Sequence, residues 1–112
     1  MKIYIDNWIN ANNNIPTNKE LDKLDIGYSV KISNGKERFW VEIKKIDKHF
    51  LLGKIDNKLL SYNEYNYNDL VLFEKINIYD IHDLEFKKLL LKYVNKNNKI
   101  KKNKNKNKNN KS

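Results

Sequence analysis

The sequence predicts a mainly β (β+α) fold: a small SH3-like barrel or strongly bent antiparallel sheet of about five strands. A short N-terminal helix, a C-terminal helix and a disordered basic tail complete the expectation. Three observations lead there. Short segments of alternating polarity recur at spacings of roughly ten residues, separated by turn-forming residues. The apolar period changes to helical spacing after residue 80. From residue 95 the chain is almost entirely Asn and Lys. The expected organisation is one domain over residues 1–94 and a tail over residues 95–112.

Lys2 to Ile5 alternates weakly and reads as a short edge strand, followed by a loop at Asn10 to Asn14. Pro16 favours an extended entry, Thr17 can cap, and Glu20 stands three residues later, so a short helix is expected from about Asn18 to Leu24. Tyr28, Val30 and Ile32 then alternate with Ser29, Lys31 and Ser33, and Asn34-Gly35 suits a tight type I′ turn. The return strand, Arg38 to Lys44, places Phe39, Val41 and Ile43 on one face and Arg38, Trp40, Glu42 and Lys44 on the other. After a turn at Asp47-Lys48, residues His49 to Ile55 read as a third strand, with Gly53 as a bend or bulge. Leu70 to Phe73 gives a fourth strand and Ile76 to Tyr79 a fifth. From Asp80, Ile81, Leu84, Leu89, Leu90, Leu91, Tyr93 and Val94 recur at helical spacing, with Asp80 or Asp83 as cap, and the resulting helix is expected to pack on the barrel.

Charge is unevenly distributed. The 112 residues carry 23 Lys and Arg against 14 Asp and Glu, a net charge of +9. Residues 95–112 hold eight lysines and no acid, which leaves the first 94 residues with 15 basic and 14 acidic side chains. Attraction to a polyanion therefore belongs to the tail rather than to a basic face of the domain. A segment so poor in apolar residues cannot offset the loss of backbone freedom, of roughly 1 to 2 kcal/mol per residue, that ordering it would cost. The abundance of Asn, Lys, Ile and Tyr also matches an A/T-rich genome, including those of large viruses of protists, and codon bias is a competing origin for the tail.

There is no cysteine, which removes disulfides, thiolate metal sites and thiol nucleophiles and suits a reducing compartment. The N-terminal apolar run is too short for a signal-peptide core or a membrane span. A cytoplasmic location is expected, with the nucleus or a virion as alternatives.

The blocks Ile15-Pro16, Leu24 to Ile32, Glu37-Arg38-Phe39-Trp40-Val41-Glu42-Ile43, Gly53-Lys54-Ile55-Asp56-Asn57 and Ile78 to Ile81 resemble the bacterial domain-of-unknown-function family 2314, which includes YegJ-like proteins. The resemblance covers about residues 15–83, and its most specific block is Glu37 to Ile43. Lys58-Leu59-Leu60 stands where the family has a proline, and Asn68-Asp69 where it has a glycine before the next strand; both departures fall in loops. The resemblance implies a compact, strongly curved β domain and carries no catalytic residues or cofactor with it.

No catalytic constellation is evident. The three glycines are isolated, so neither a dinucleotide fingerprint nor a P-loop is present. His49 and His82 lack partners at ligand spacing, and Asp80, His82 and Asp83 read as a helix start rather than a metal site. Ser29, Ser33 and Ser61 have no nucleophile elbow. Trp40, flanked on its face by Arg38 and Lys44, could stack a base, although a small barrel covering both faces would bury it instead. Trp8 reads as a plug or staple, and the Tyr62, Tyr65 and Tyr67 loop either stacks RNA bases or reflects codon bias.

These residues lead to the expectation of a non-enzymatic accessory or adaptor protein. Its contact strip is Arg38, Trp40 and Lys44. Lys96, Lys99, Lys101, Lys102, Lys104, Lys106, Lys108 and Lys111 would supply non-specific association with RNA or DNA. No metal, cofactor, small-molecule substrate or membrane is expected, and an unidentified protein partner is. The alternative is a purely protein-interaction or structural component of a larger assembly.

Overall fold

The structure, a computed structural model, describes residues 3–11, 16–60 and 65–96. Among these, β1 (Ile3–Ile5), β2 (Ser29–Ser33), β3 (Arg38–Ile46), β4 (Leu51–Ile55), β5 (Leu70–Phe73) and β6 (Asp80–His82) form one mixed sheet in the order β1-β5-β4-β3-β2-β6. A short helix α1 (Asn18–Leu21), a 3₁₀ turn (Lys75–Asn77) and a helix α2 over residues 84–96 complete it.

The edge strand expected at Lys2 to Ile5 is present as β1 and brings the count to six, but the sheet is not wholly antiparallel: β1 runs parallel to β5, with Ile3, Tyr4 and Ile5 opposite Leu70, Val71 and Leu72. Most of the domain separates these two strands in sequence, so no local turn fixes their relative direction. The described pairings also leave β1 and β6 as two edges and do not close a barrel. The gap is bridged instead by the segment after β1, where Ile9 N–H donates to Ser33 O at 3.0 Å and Ala11 N–H to Ile76 O at 2.9 Å.

The β2–β3 hairpin has the expected faces: Val30 lies opposite Val41 and Ile32 opposite Phe39, and all four are buried. Its turn differs. Gly35 alone takes a positive φ, 91°, whereas type I′ needs one at both central positions. The Asn34 carboxamide oxygen accepts from the N–H groups of Lys36 and Glu37 instead. Gly53 pairs with Ile43 and Val71, and the irregularity expected there is present with its extra residue on the partner strand: the register shifts between Ile43 and Lys45 on β3, opposite the step from Gly53 to Leu52.

Thr17 and Glu20 form the expected capping box of α1, which ends earlier than expected, at Leu21. The last strand lies one element later than the sequence predicts. Residues Lys75–Asn77 form the 3₁₀ turn, and β6, Asp80–His82, pairs antiparallel with β2 where the terminal helix was expected to begin. Asn68, in the loop before β5, has φ 75°, a conformation in which Asn substitutes for Gly more readily than other residues do.

One face of the sheet carries the core: Val30, Ile32, Phe39, Val41, Ile43, Leu51, Ile55, Val71 and Phe73, joined by Ile78, Trp8 and Tyr65. Trp8 is the plug its sequence context implies. It is buried, donates from Nε1 to Leu72 O at 2.7 Å, and meets Phe39 edge-on at 6.0 Å between ring centres. Buried Asn77 ties this segment down, donating from Nδ2 to Trp8 O and Asn10 Oδ1.

The helix α2 departs most from expectation. Asp83 caps it, its carboxylate accepting from Phe86 N–H at 2.8 Å. Its first turn meets the sheet domain: Leu84 packs over Gly27, Phe86 meets the His82 ring, and Lys87 reaches Gly27 O. Leu89, Leu91 and Tyr93 are more than 60% exposed. The helix its periodicity predicts is present, but the burial that periodicity implies is not supplied by this domain. The helix runs through residue 94, where the domain was expected to end; Lys99 to Lys111, and with them most of the expected tail, lie outside the described residues.

Candidate functional site

The face of the sheet opposite the core holds the expected contact strip. Register alone brings neighbours to it: Trp40 on β3 lies opposite Lys31 on β2, which lies opposite Asp80 on β6, and Glu42 lies opposite Ser29, which lies opposite His82.

Trp40 is half-buried. Its ring stacks on His82 with centres 3.9 Å apart and planes 25° apart, and the Lys31 ammonium stands 5.1 Å from its centre. His82 in turn meets Phe86 at 4.4 Å, making a three-ring stack that joins β3, β6 and α2. The backbone of Trp40 is held from the end of β4, its N–H donating to Asn57 Oδ1 and its carbonyl accepting from Asp56 N–H.

The two flanking cations are engaged within the chain. The Arg38 guanidinium lies 4.3 Å from the centre of the Tyr79 ring. Lys44 Nζ is 2.7 Å from Glu42 Oε2, and Lys87 Nζ is 3.3 Å from Glu42 Oε1. The hydrogen bond from Lys44 is the main cause holding the Glu42 carboxyl below its usual range; burial opposes it and Lys87 reinforces it. Burial also lowers the His82 pKa, with Asp80 and Asp83 opposing and Lys31 and Lys87 assisting. A neutral imidazole between two aromatic rings follows from that environment.

The strip is therefore one surface, but each of its three expected residues already has a partner, and a base stacking on Trp40 would compete with His82. Four participants were missed. Lys31 was legible, because a hairpin joining Ser33 to Arg38 places residue 31 opposite residue 40. His82, Phe86 and Lys87 were not, since their place depends on β6 joining the far edge of β2. In the tyrosine loop, Tyr65 is a core residue, Tyr67 is exposed, and Tyr62 lies outside the described residues. Lys96 is the last described residue of α2.

Among the described residues no group of three or more His, Asp or Glu side chains is arranged to hold a metal, and no helix is long and apolar enough to cross a membrane. Comparison with known proteins gave no matching family model, no matching curated protein and no matching solved structure.

Proposed function

We propose that this protein is a non-enzymatic adaptor. Its sheet domain docks on a macromolecular partner, and its Lys/Asn segment associates non-specifically with RNA or DNA. The observation that carries this reading is the partition of charge: eight lysines without an acid in residues 95–112, beside a nearly balanced remainder. Lysines free of counter-charge displace cations from phosphates, so binding should be strongly salt-dependent and indifferent to base sequence. The likeness of residues 15–83 to the domain-of-unknown-function family 2314 rests on its motif residues and adds a curved β domain to this reading, without chemistry.

The test is a salt titration of single-stranded RNA binding by the full chain and by a full-length variant with the eight lysines of residues 95–112 changed to Gln. The reading expects the slope of log K against log salt to flatten by about 0.7 for each phosphate that the variant no longer neutralises. Equal slopes for the two proteins would remove the segment from the interface. Binding that survives in the Gln variant and is lost with Trp40→Ala would move the reader to the strip. A purely protein-interaction role is the second reading. It draws support from the internal engagement of Arg38, Trp40 and Lys44, which leaves that strip little free capacity for bases.

A further inference from the structure

The helix over residues 84–96 has apolar side chains that the fold does not use. At 100° per residue, Leu84, Phe86, Leu89, Leu90, Leu91, Tyr93 and Val94 occupy a continuous arc of about 220°. Glu85, Lys88, Lys92, Asn95 and Lys96 share the narrow remainder. Lys87 falls inside the apolar arc and is accounted for, its Nζ bound to Gly27 O at 2.7 Å and Glu42 Oε1 at 3.3 Å. Past that anchor most of the arc is open: Leu89, Leu91 and Tyr93 are 62 to 65% exposed and Val94 is 49% exposed, while Leu90, at 40%, is covered about as far as Leu84 and Phe86.

The chemistry of this surface selects its occupant. An apolar arc bordered by lysines, followed at once by a segment whose only charges are cationic, calls for an apolar medium edged with negative charge. Nucleic acid supplies phosphates but no apolar bed for seven large side chains. A second copy supplies apolar surface but brings the same lysines with it. The surface of an anionic bilayer supplies both. Thirteen residues make a helix of about 20 Å, shorter than the roughly 30 Å hydrocarbon core, so the helix would lie along the surface instead of crossing. The nearly neutral charge of the first 94 residues places no general repulsion between the domain and such a surface.

We propose that helix 84–96 is an interfacial element that docks on anionic membranes. Its apolar arc sits at the acyl boundary, and Lys88, Lys92 and Lys96 lie at headgroup level. It departs from the expectation that no membrane is involved, while agreeing that no helix among the described residues is long and apolar enough to cross one. It goes beyond the nucleic-acid reading and does not depend on it, although both use the same lysines, so RNA and membrane would compete.

The experiment is flotation of the full chain with vesicles of phosphatidylcholine alone and of phosphatidylcholine with about one-third phosphatidylserine, at about 0.1 M salt. Binding should be at least tenfold stronger to the phosphatidylserine vesicles. Leu91→Gln/Val94→Gln, which leaves charge unchanged, should lower it at least tenfold without altering the thermal midpoint or RNA binding. As a second reporter, the emission of a Tyr93→Trp variant should shift to the blue on phosphatidylserine vesicles, measured against the unsubstituted chain. Failure to bind those vesicles overturns the proposal. So does undiminished binding by the Gln double variant, which would assign attachment to the lysines alone. Self-association of the full chain that the same double variant abolishes would make a second copy the occupant, and RNA binding that requires Leu91 and Val94 would make it nucleic acid; either overturns the membrane assignment. Loss of RNA binding in the eight-lysine Gln variant speaks only to the nucleic-acid reading, so the two fail separately.

Discussion

A methyl group added at Gly53 would stand 2.9 Å from Phe73 Cε1 and 3.0 Å from Val41 Cγ2, two buried core side chains. Its φ is not in the left-handed region, so the requirement for glycine is steric: β3 and β5 flank it and their side chains close over it. Gly53→Ala should therefore destabilise by about 1 to 3 kcal/mol, as overpacking of a filled core does, read as a lower urea midpoint with an unchanged slope. Ser29 presents the opposite case. Its hydroxyl is buried without a hydrogen-bond partner between Glu42 and His82 on the neighbouring strands. A buried polar atom left unpaired costs about 1 to 3 kcal/mol, so Ser29→Ala should be neutral or stabilising by up to about that amount; a clear loss of stability would show that the hydroxyl has a partner in solution. His82 adds a dependence on pH. Its folded pKa lies below 6.5, so the unfolded chain binds the proton more readily, and its contribution is present above about pH 6.5 and lost as the pH falls through the folded value. His82→Phe, which keeps a ring between Trp40 and Phe86, should remove that part of the slope. The Glu42 contribution lies lower, below 4.5, because its carboxyl is lowered by Lys44 and Lys87.

At the scale of elements, the β2–β3 hairpin was legible because alternation fixes which side chains face inward, and a one-residue slip would put every one of them on the wrong face. The capping box of α1 was legible for a similar reason: Thr17 and Glu20 satisfy each other's backbone groups without tertiary help. The parallel pairing of β1, the place of β6 and the fate of α2 were not, because each depends on a partner distant in sequence. Ile76 to Tyr79 and Asp80 to His82 are both short apolar-polar runs, and only the free edge of β2 decides which becomes a strand. Periodicity likewise reports that a helix can bury one face, not that the chain provides something to bury it against. The contact strip was half legible: Trp40 and its facing cations follow from strand alternation, while the His82 and Phe86 rings that cover it arrive from elements placed by the long-range topology. These differences have measurable weight. Ile43→Ala, in the fully buried centre of β3, should cost about 2 to 5 kcal/mol, whereas Leu91→Gln in α2 should stay within about 0.5 kcal/mol of the parent. Equal losses in urea denaturation would mean that the helix packs on the domain after all.

For the molecule as a whole, stability should be graded rather than uniform. The strands β2, β3 and β4 contribute most of the buried core, and each lies between two neighbouring strands. The helix 84–96 is fastened at its start by the Asp83 cap, the His82–Phe86 contact and the bond from Lys87 to Gly27. Beyond Lys87 it gains little from burial, and an unsupported helix of about a dozen residues is marginal in water. Local opening of residues 88–96 should consequently need far less free energy than opening of the sheet. Hydrogen exchange on the isolated chain should show fast amides over 88–96, intermediate protection at Phe86 and Lys87, whose N–H groups are bound by Asp83, and slow amides in β2 to β4. Phosphatidylserine vesicles should slow exchange over 88–96 while leaving the strands unchanged, because the bilayer would supply the burial that the domain withholds. Protection over 88–96 equal to that of the strands in the absence of vesicles would place the missing partner within the chain itself, and would leave the apolar arc no role at a membrane.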